Sequence, residues 1–356
     1  MAANRMTDPD HRVTVGVDTH LDTHVAAAFN HLGRPLGHLE IATTPAGYRR
    51  LLRWARSLGS DVTFGIEGTG SFGAGLARFL RAASCTVIEI NRPNRQTRRS
   101  RGKSDPLDAV AAARAVIAGE AAGPAKSDDH RVGMIRSLRI ARRSAVKMRT
   151  QIGNQMDALV LTAPADLREG LRHLSTDDLV SVAAGLRPGA VTTPAAATKL
   201  ALRGLAERHR LLTAELDQLD LELRRLTAGA APALLALHGV GPDVAGALLL
   251  AAGDNPHRLR SEAAFASLCG VAPLPASSGK THRHRLNRGG DRQANNALWR
   301  IVFVRLAHDP RTRTYLERRT AEGLSRRDIV RCLKRYVARE VFLALRPLTA
   351  PTPVAS

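Results

Sequence analysis

Apolar residues recur with two different periods in the first third of the chain. Five short segments rich in valine, isoleucine and alanine have the length and composition of strands, and three longer segments have helical spacing. The predicted strands are Val13–Asp18, Thr23–Asn30, Leu36–Thr43, Val62–Gly68 and Cys85–Asn91. The predicted helices are Pro45–Leu58, Phe72–Ala83 and Pro106–Ala118. Three successive strands followed by alternating strands and helices predict a mixed sheet flanked by helices.

The middle third has a heptad pattern instead. Seven leucines and one histidine recur at alternating intervals of three and four, at Leu202, Leu205, His209, Leu212, Leu216, Leu219, Leu223 and Leu226. An earlier stretch has the same spacing with weaker content, at Leu138, Ala141, Ala145, Met148, Ile152, Gln155 and Leu159. Both stretches predict coiled-coil helices, which either pack together as an antiparallel hairpin or pair across a dimer.

The last third begins with "LLALHGVGPDVAGALLLAAGD", residues 234–254. Two short helical patterns joined by Gly239 and Gly241 predict a helix–hairpin–helix, in which backbone amides approach a phosphate at the start of the second helix. A plain helical hairpin is the alternative. The predicted domains are therefore a sheet domain over 11–125, a helical coiled-coil region over 126–230 and a mostly α-helical domain over 231–346.

The charge balance points to a polyanionic partner. Lysine and arginine number 53 against 32 aspartates and glutamates, a formal charge of +21. Such a surplus favours nucleic-acid binding, and the 3% aromatic content favours backbone contacts over broad base stacking. The three distant cysteines fit neither a zinc site nor a disulfide framework, which suits a reducing cytoplasm. With no signal pattern and no long apolar run, we expect no membrane partner.

Four acids lie at positions that the predicted sheet and its third helix would bring to one edge. Asp18 ends the first strand in "VGVDTH" and Glu67 ends a later one in "FGIEGTG", so parallel neighbouring strands would bring both to one edge. Asp105 and Asp108 lie one helical turn apart at the start of the third helix. Converging carboxylates repel unless divalent cations hold them, and Mg²⁺ prefers such oxygen ligands. We predict that all four are metal ligands and catalytic residues.

A plainer interpretation exists for the last two acids. Asp105 would be the N-cap of a helix whose first residue is Pro106, and Asp108 would favour the helix dipole. Six cations precede this helix, at Arg92, Arg95, Arg98, Arg99, Arg101 and Lys103. Such a run is commonly a solvated loop, but beside an acidic metal site we expect it to bind phosphates.

Several stretches together resemble the DEDD insertion-sequence transposases of the IS-one-ten type. They are "VGVDTHLDTHVAAAF", "GIEGTGSFGAGLARFL", "VIEINRP", "RGKSDPLDAVAAARAV" and "FASLCGVAPLPASSGKTHRHRLNRGGDRQANNALW". The resemblance implies an α/β RNase H-like (RuvC-like) fold for the first domain, which the strand order also fits while leaving other topologies open. It places the family's four acids on Asp18, Glu67, Asp105 and Asp108. Leu21 departs from the family, where a lysine is frequent.

The resemblance also implies a second catalytic group. The family's serine falls on Ser278, with its neighbour Ser277 as the fallback, in a basic loop that contains Lys280, Arg283 and Arg285. The implied mechanism is attack of Ser278 on a DNA phosphodiester, which forms a transient phosphoserine link. The family further implies a structured noncoding guide RNA, donor and target DNA, assembly as a homodimer or homotetramer, and a place at the bacterial nucleoid.

Two other functions remain open on the sequence. A structure-selective RuvC-like endonuclease would use the acids to activate water and would leave the serine incidental. A non-catalytic scaffold would bind nucleic acid through the helix–hairpin–helix and the basic helices alone. The first predicts cleaved ends without a protein–DNA adduct, and the second predicts no effect of Asp18→Asn.

Overall fold

The computed structural model describes residues 11–90, 105–121, 125–127, 130–255, 259–277 and 284–346. The chain forms two compact units, one from residues 1–129 with 252–260 and the other from 130–251 with 261–356. The two long central helices and the C-terminal helices belong to the same unit. Among the described residues, no helix combines the length and the apolar character needed to span a membrane.

The first unit contains a five-stranded mixed sheet, as the sequence predicts. The strands are β1 (Arg12–Thr19), β2 (Thr23–Asn30), β3 (Pro35–Ala42), β4 (Asp61–Glu67) and β5 (Thr86–Ile90). Their order across the sheet is β3-β2-β1-β4-β5. The β1–β2 and β2–β3 pairs are antiparallel, whereas β1–β4 and β4–β5 are parallel. The RNase H-like arrangement is thus confirmed, with β1 at the centre.

The alternation of side chains along β1 assigns its two faces to different helices. Val13, Val15 and Val17 are buried in a core shared with α1 (Pro45–Leu58) and α2 (Ala74–Ala82). Thr44 caps α1 by accepting a hydrogen bond from the Gly47 amide, and the proline that follows suits the first helical position.

The opposite face of the sheet is covered by α3 (Asp105–Ile117). A Cβ atom on Gly16 would lie 2.1 Å from the Ala109 carbonyl oxygen and 2.3 Å from the Ala113 nitrogen. Gly65 of β4 faces the same helix, since its Cβ would lie 2.6 Å from the Val116 side chain. Glycines in the strands and alanines in the helix therefore let α3 rest directly on the sheet backbone.

The second unit is helical. Its long helices are α4 (Arg131–Leu161) and α7 (Pro194–Ala230), and they pack antiparallel to each other within the chain. Arg142 near the start of α4 binds Asp220 near the end of α7, and Ile152 and Met156 pack with Leu202 at the other end. The intrachain hairpin is thus the alternative that the structure shows.

The predicted seam is correct for one of these helices and partly wrong for the other. In α7, Leu202, Leu205, His209, Leu216, Leu223 and Leu226 are buried. In α4, the predicted seam residues Met148 and Gln155 are exposed, and the buried face runs through Ile135, Ala145, Ile152 and Met156. The apolar content of α4 is too weak for spacing alone to fix which face is buried.

Shorter elements complete the second unit. The helices are α5 (Ala165–Leu171), α6 (Thr176–Ala184), α8 (Pro232–Leu235), α9 (Pro242–Ala252), α10 (Glu262–Leu268), α11 (Arg292–His308), α12 (Pro310–Ala321) and α13 (Arg326–Leu345). A two-residue antiparallel ladder joins β6 (Leu274–Pro275) to β7 (His284–Arg285). The C-terminal part of the chain is therefore mostly helical, as predicted.

Candidate metal centre and nucleic-acid interface

The carboxyl ends of β1 and β4 bring two of the predicted acids to one edge of the sheet. The parallel register pairs Val17 with Ile66, so the next residues, Asp18 and Glu67, are neighbours on adjacent strands. Both side chains are buried. The Thr19 hydroxyl donates a 2.8 Å hydrogen bond to the Glu67 carbonyl oxygen, which ties the two strand ends together.

The close approach of α3 adds a third acid to this edge. Gly16 and Asp18 are two positions apart on β1, as are Gly65 and Glu67 on β4, so each acid points to the face that α3 covers. The first residue of α3 is Asp105. The glycine two positions before each strand acid therefore sets the distance between the sheet and the helix that carries Asp105.

Asp18 and Asp105 meet at an imidazole. The His20 Nε2 atom lies 3.1 Å from Asp18 Oδ2 and 3.3 Å from Asp105 Oδ1. One ligand atom from each of the three residues lies within 4.8 Å of the other two. Asp18 is nearly buried, whereas His20 and Asp105 are about half exposed. The group is thus open to solvent on one side and closed by the sheet on the other.

The other two predicted acids lie near this group without belonging to it. Glu67 is beside Asp18 in the sheet, and Asp108 is one turn beyond Asp105 in α3. His20, in contrast, was not predicted. Its signal in the sequence is the spacing Asp-x-His, because residues two apart at the end of a strand share a face.

The donor set is suitable for a divalent cation. Two carboxylates and one imidazole nitrogen converge, and each of the three residues offers one ligand atom. Carboxylate oxygens suit Mg²⁺ and Mn²⁺, and the imidazole nitrogen favours the transition metal of the two. Asp18, His20 and Asp105 would hold such an ion.

Residues 278–283 of the predicted loop, called the serine loop below, and the basic run at 92–103 lie outside the described residues. Ser277 is described and exposed, and Arg285 is exposed in β7 directly after the loop. The predicted residues that lie outside the described ranges are Arg92, Arg95, Arg98, Arg99, Arg101, Lys103, Ser278, Lys280 and Arg283.

The glycine turn between α8 and α9 borders a cavity of about 280 Å³. Gly239 has the left-handed φ of +82° that suits glycine, and Gly239 and Gly241 both line the cavity. Arg142, Arg224 and Arg300 also line it. Asp220 and Asp243 line it as well, and they bind Arg142 and Arg300 respectively, so the net charge of this lining is small.

Asp243, in the first turn of α9, has a very different environment from Asp18. Arg139, which is buried, donates a 2.9 Å hydrogen bond from Nε to Asp243 Oδ1, and Arg300 and Arg142 contact the other carboxylate oxygen. Burial alone would raise the pKa of Asp243, but the charge of Arg139 and the hydrogen bond from Arg300 lower it below its ordinary value.

Two similar proteins come from Streptomyces coelicolor. The "Insertion element IS110 uncharacterized 43.6 kDa protein" is 33% identical over 162 residues, which cover 45% of this chain and 38% of that protein. The "Mini-circle putative transposase for IS117" is 27% identical over 369 aligned positions, which cover 87% of this chain and 88% of that protein. The chain thus matches well under half the length of the first protein and most of the second.

The sheet order defines an RNase H-like domain, and the acids at the edge of its sheet form a group consistent with metal binding. A family model described as "Transposase" (DEDD_Tnp_IS110) matches residues 15–163, and one described as "Transposase IS116/IS110/IS902 family" matches residues 231–317. The chain belongs to the IS110 family of DEDD transposases.

Proposed function

We propose that this chain catalyses the cleavage and rejoining of DNA strands that move an insertion sequence. The observation that carries the proposal is the convergence of Asp18 and Asp105 on His20, beside Glu67, at one edge of an RNase H-like sheet. The family matches at both ends of the chain and the formal charge of +21 support a DNA substrate.

The acidic edge would hold divalent cations, for which we propose Mg²⁺ through Asp18 and Asp105, with Glu67 and Asp108 completing the set. Such an ion supplies charge stabilisation at the phosphate under attack. The protein contributes the orientation of the carboxylates, because β1, β4 and the glycine contacts of α3 fix where they lie.

Metal binding is testable without measuring activity. Isothermal titration of the purified protein with MgCl₂ and separately with MnCl₂ should give a binding signal that Asp18→Asn removes. Asp166→Asn, which changes an acid in α5, is the matched control and should bind as the wild type does. Equal metal binding by wild type and Asp18→Asn would contradict the assignment.

The second proposed catalytic group is Ser278. Its hydroxyl oxygen would form a bond to phosphorus while the phosphorus–oxygen bond to the leaving sugar breaks, and the serine proton would pass to the leaving oxygen. Attack by a sugar hydroxyl of the partner strand would then release the serine and join the strands. Arg285, two positions beyond the loop, and its neighbours Lys280 and Arg283 would bind the phosphate.

Donor and target plasmids with and without Ser278→Ala test this assignment. Recombination should be lost in the variant, and a protein–DNA adduct should form in the wild type and map to the peptide that contains Ser278. Ser277→Ala is the matched control and should retain recombination. Recombination that persists in Ser278→Ala would contradict the role.

We further propose that a structured noncoding RNA of the element selects the DNA, and that the active species is a homodimer or homotetramer. The large positive charge supports a nucleic-acid partner of either kind. Recombination should require that RNA, and an unrelated RNA of the same length should not replace it. Light scattering of the complex should give two or four protein copies.

A RuvC-like endonuclease is the second candidate, and the acidic group favours it because that group is sufficient to activate water. It predicts cut DNA without an adduct and full cutting activity in Ser278→Ala. In both functions Asp18→Asn abolishes cleavage, whereas a non-catalytic scaffold would be unaffected by that change. Asp18→Asn and Ser278→Ala together therefore distinguish the recombinase, the endonuclease and the non-catalytic scaffold.

A further inference from the structure

An apolar concavity with a cationic rim lies next to the ends of the serine loop in the described part of the second unit. Its volume is about 420 Å³, within the range of small-molecule sites. Its walls are the turn after α10, at Gly270–Pro273, the strand β7 with Leu286 and Asn287, and one face of α13. β7 begins at His284, the residue that follows the loop.

Backbone contacts and side-chain hydrogen bonds fix the walls of this cavity. A Cβ on Gly290 would lie 2.2 Å from the Gly270 nitrogen, so the segments before and after the loop touch through their backbones. The Asn287 amide donates a 3.0 Å hydrogen bond to the Ser267 carbonyl oxygen. Asn295 donates to the Cys269 carbonyl oxygen at 2.8 Å, which joins α11 to the same wall.

The lining carries a net positive charge. Arg285, Arg331, Lys334 and Arg335 line the cavity together with one carboxylate, Asp328. Asp328 binds Arg331 and Glu262 binds Arg335, so the charge available to a ligand is mainly that of Arg285 and Lys334. The Lys334 ammonium donates a 2.9 Å hydrogen bond to Asn295 Oδ1, and burial lowers its pKa, with the charge of Arg331 adding to the effect. A cation held out of water gains more from an anionic ligand than one on an open surface.

One aromatic ring borders the same space. Tyr336 is 53% exposed, and its ring meets Tyr315 edge-on with 5.8 Å between centroids. Leu286 and Val271 add apolar surface to the lining. An inorganic anion would leave this apolar surface wet, and an apolar ligand would bring no anion to Lys334, whose ammonium is held by a neutral amide. A nucleotide satisfies both, since a planar base is attached to a phosphate.

We propose that this cavity takes one unpaired nucleotide of the DNA substrate, with the base against Tyr336 and Leu286 and the phosphate beside Arg285 and Lys334. The inference rests on the proposed DNA substrate. It adds the place in the protein that would hold a base once that base has left the helical stack. A base taken from the duplex next to the serine loop would loosen the strand at the phosphodiester under attack.

Binding of three DNA probes tests the proposal. The probes are a flush duplex, the same duplex with one unpaired adenine, and the same duplex with an abasic residue in place of that adenine. By fluorescence anisotropy the protein should bind the adenine probe about tenfold more tightly than the other two. Equal binding of all three probes would overturn the inference and leave DNA binding intact, whereas no binding to any probe would contradict the proposed function as well.

Variants of Tyr336 identify the cavity as the site. Tyr336→Ala should bind the adenine probe no more tightly than the flush duplex, and Tyr336→Phe should retain the preference. Phe303→Ala is the matched control, because Phe303 is 56% exposed and stacks on Trp299 outside the cavity lining. A preference that survives Tyr336→Ala would overturn the proposal. Thermal unfolding of each variant verifies that it is folded.

The native cysteines give a second measurement that needs no variant. Cys332 lines the cavity and is half-buried, and Cys85 is half-buried in the first unit. The adenine probe should slow alkylation of Cys332 severalfold relative to the flush duplex and leave Cys85 unchanged. Equal alkylation rates of Cys332 with both probes would overturn the proposal.

Discussion

Two acids with little solvent exposure, one in each unit, differ in what contacts their carboxylates. Asp18 in the sheet unit meets an imidazole that also contacts a second acid, Asp105. Asp243 in the helical unit is contacted by Arg139, Arg142 and Arg300. The first arrangement gathers two carboxylates around one imidazole, and the second surrounds one carboxylate with three permanent cations.

The difference indicates different roles. An acid held by three guanidinium groups is satisfied within the protein, and its contribution is to connect α4, α9 and α11. Two acids that share one histidine retain affinity for an additional cation. We therefore predict that substitution of Asp18 or Asp105 removes activity, whereas substitution of Asp243 lowers the stability of the helical unit.

The largest expected effect is on catalysis. Asp105→Asn should reduce DNA cleavage by a factor on the order of 10² or more, because the isosteric amide lacks the charge that holds a divalent cation. Its thermal unfolding temperature should change little, since Asp105 is about half exposed. The measurement is cleavage of a labelled plasmid at saturating Mg²⁺. Cleavage at the wild-type rate would contradict the metal role of Asp105.

The second prediction concerns stability. Asp243→Ala should lower the free energy of unfolding of the helical unit by about 3–5 kcal/mol, because it leaves the buried guanidinium of Arg139 without its carboxylate. Denaturant unfolding measures this change. Asp217→Ala, at an exposed acid of α7, is the control and should cost far less. Similar unfolding free energies for the two variants would refute the structural role.

The difference in unfolding free energy between the wild type and Asp243→Ala should depend on pH in a direction that the pKa of Asp243 fixes. The pKa of Asp243 is lower in the folded protein than its ordinary value near 3.8, so the folded state binds fewer protons. The stabilisation is complete above about pH 4 and is lost as the pH falls through the lower, folded pKa. The gap between wild type and Asp243→Ala should therefore be constant from pH 5 to 8 and shrink below about pH 4.

The third prediction concerns the contact that sets the distance between α3 and the sheet. Gly16→Ala should destabilise the sheet unit by about 1–3 kcal/mol, since its Cβ would overlap backbone atoms of α3 rather than a movable side chain. It should also reduce cleavage, because Asp105 would move with the helix. Gly70→Ala is the control, because a Cβ there meets no atom within 4 Å. Equal stability and cleavage in the two variants would contradict this account.

Much of the sheet unit could be predicted because its strands follow a two-residue alternation and its helices follow helical spacing, and the two patterns occur in different segments. Strand alternation locates the ends of β1 and β4 within a residue, and parallel pairing then brings Asp18 and Glu67 together. The position of His20 was missed because its meaning depends on Asp105, which reaches it only when α3 lies on the glycines. The Asp-x-His spacing was the available signal.

The helical unit was harder to predict for a physical reason. A leucine-rich helix such as α7 has one face that is clearly the more apolar, whereas α4 has several alanines and arginines on competing faces. Its buried face includes Arg139, whose guanidinium is paired with the Asp243 carboxylate. Asp243 lies 104 residues further along the chain. Long-range charge pairs of this kind leave no periodic trace in the sequence.

The smallest expected effect lies in the seam of α7. His209 is buried there, and burial lowers its pKa, with the nearby charge of Arg149 acting in the same direction. Because the unfolded state takes up a proton near pH 6.5 and the folded state only at lower pH, the histidine costs stability as the pH falls below about 6.5. His209→Leu should therefore raise the unfolding free energy by about 1 kcal/mol at pH 8, and by more at pH 5.5.

Denaturant unfolding at both pH values measures the effect, and His173→Leu makes the same exchange at an exposed position. A gain for His209→Leu that does not grow as the pH falls would show that the folded protein binds the imidazole proton at least as readily as the unfolded chain does. In that case the charged imidazole would be satisfied within the seam, much as the Asp243 carboxylate is satisfied by its arginines.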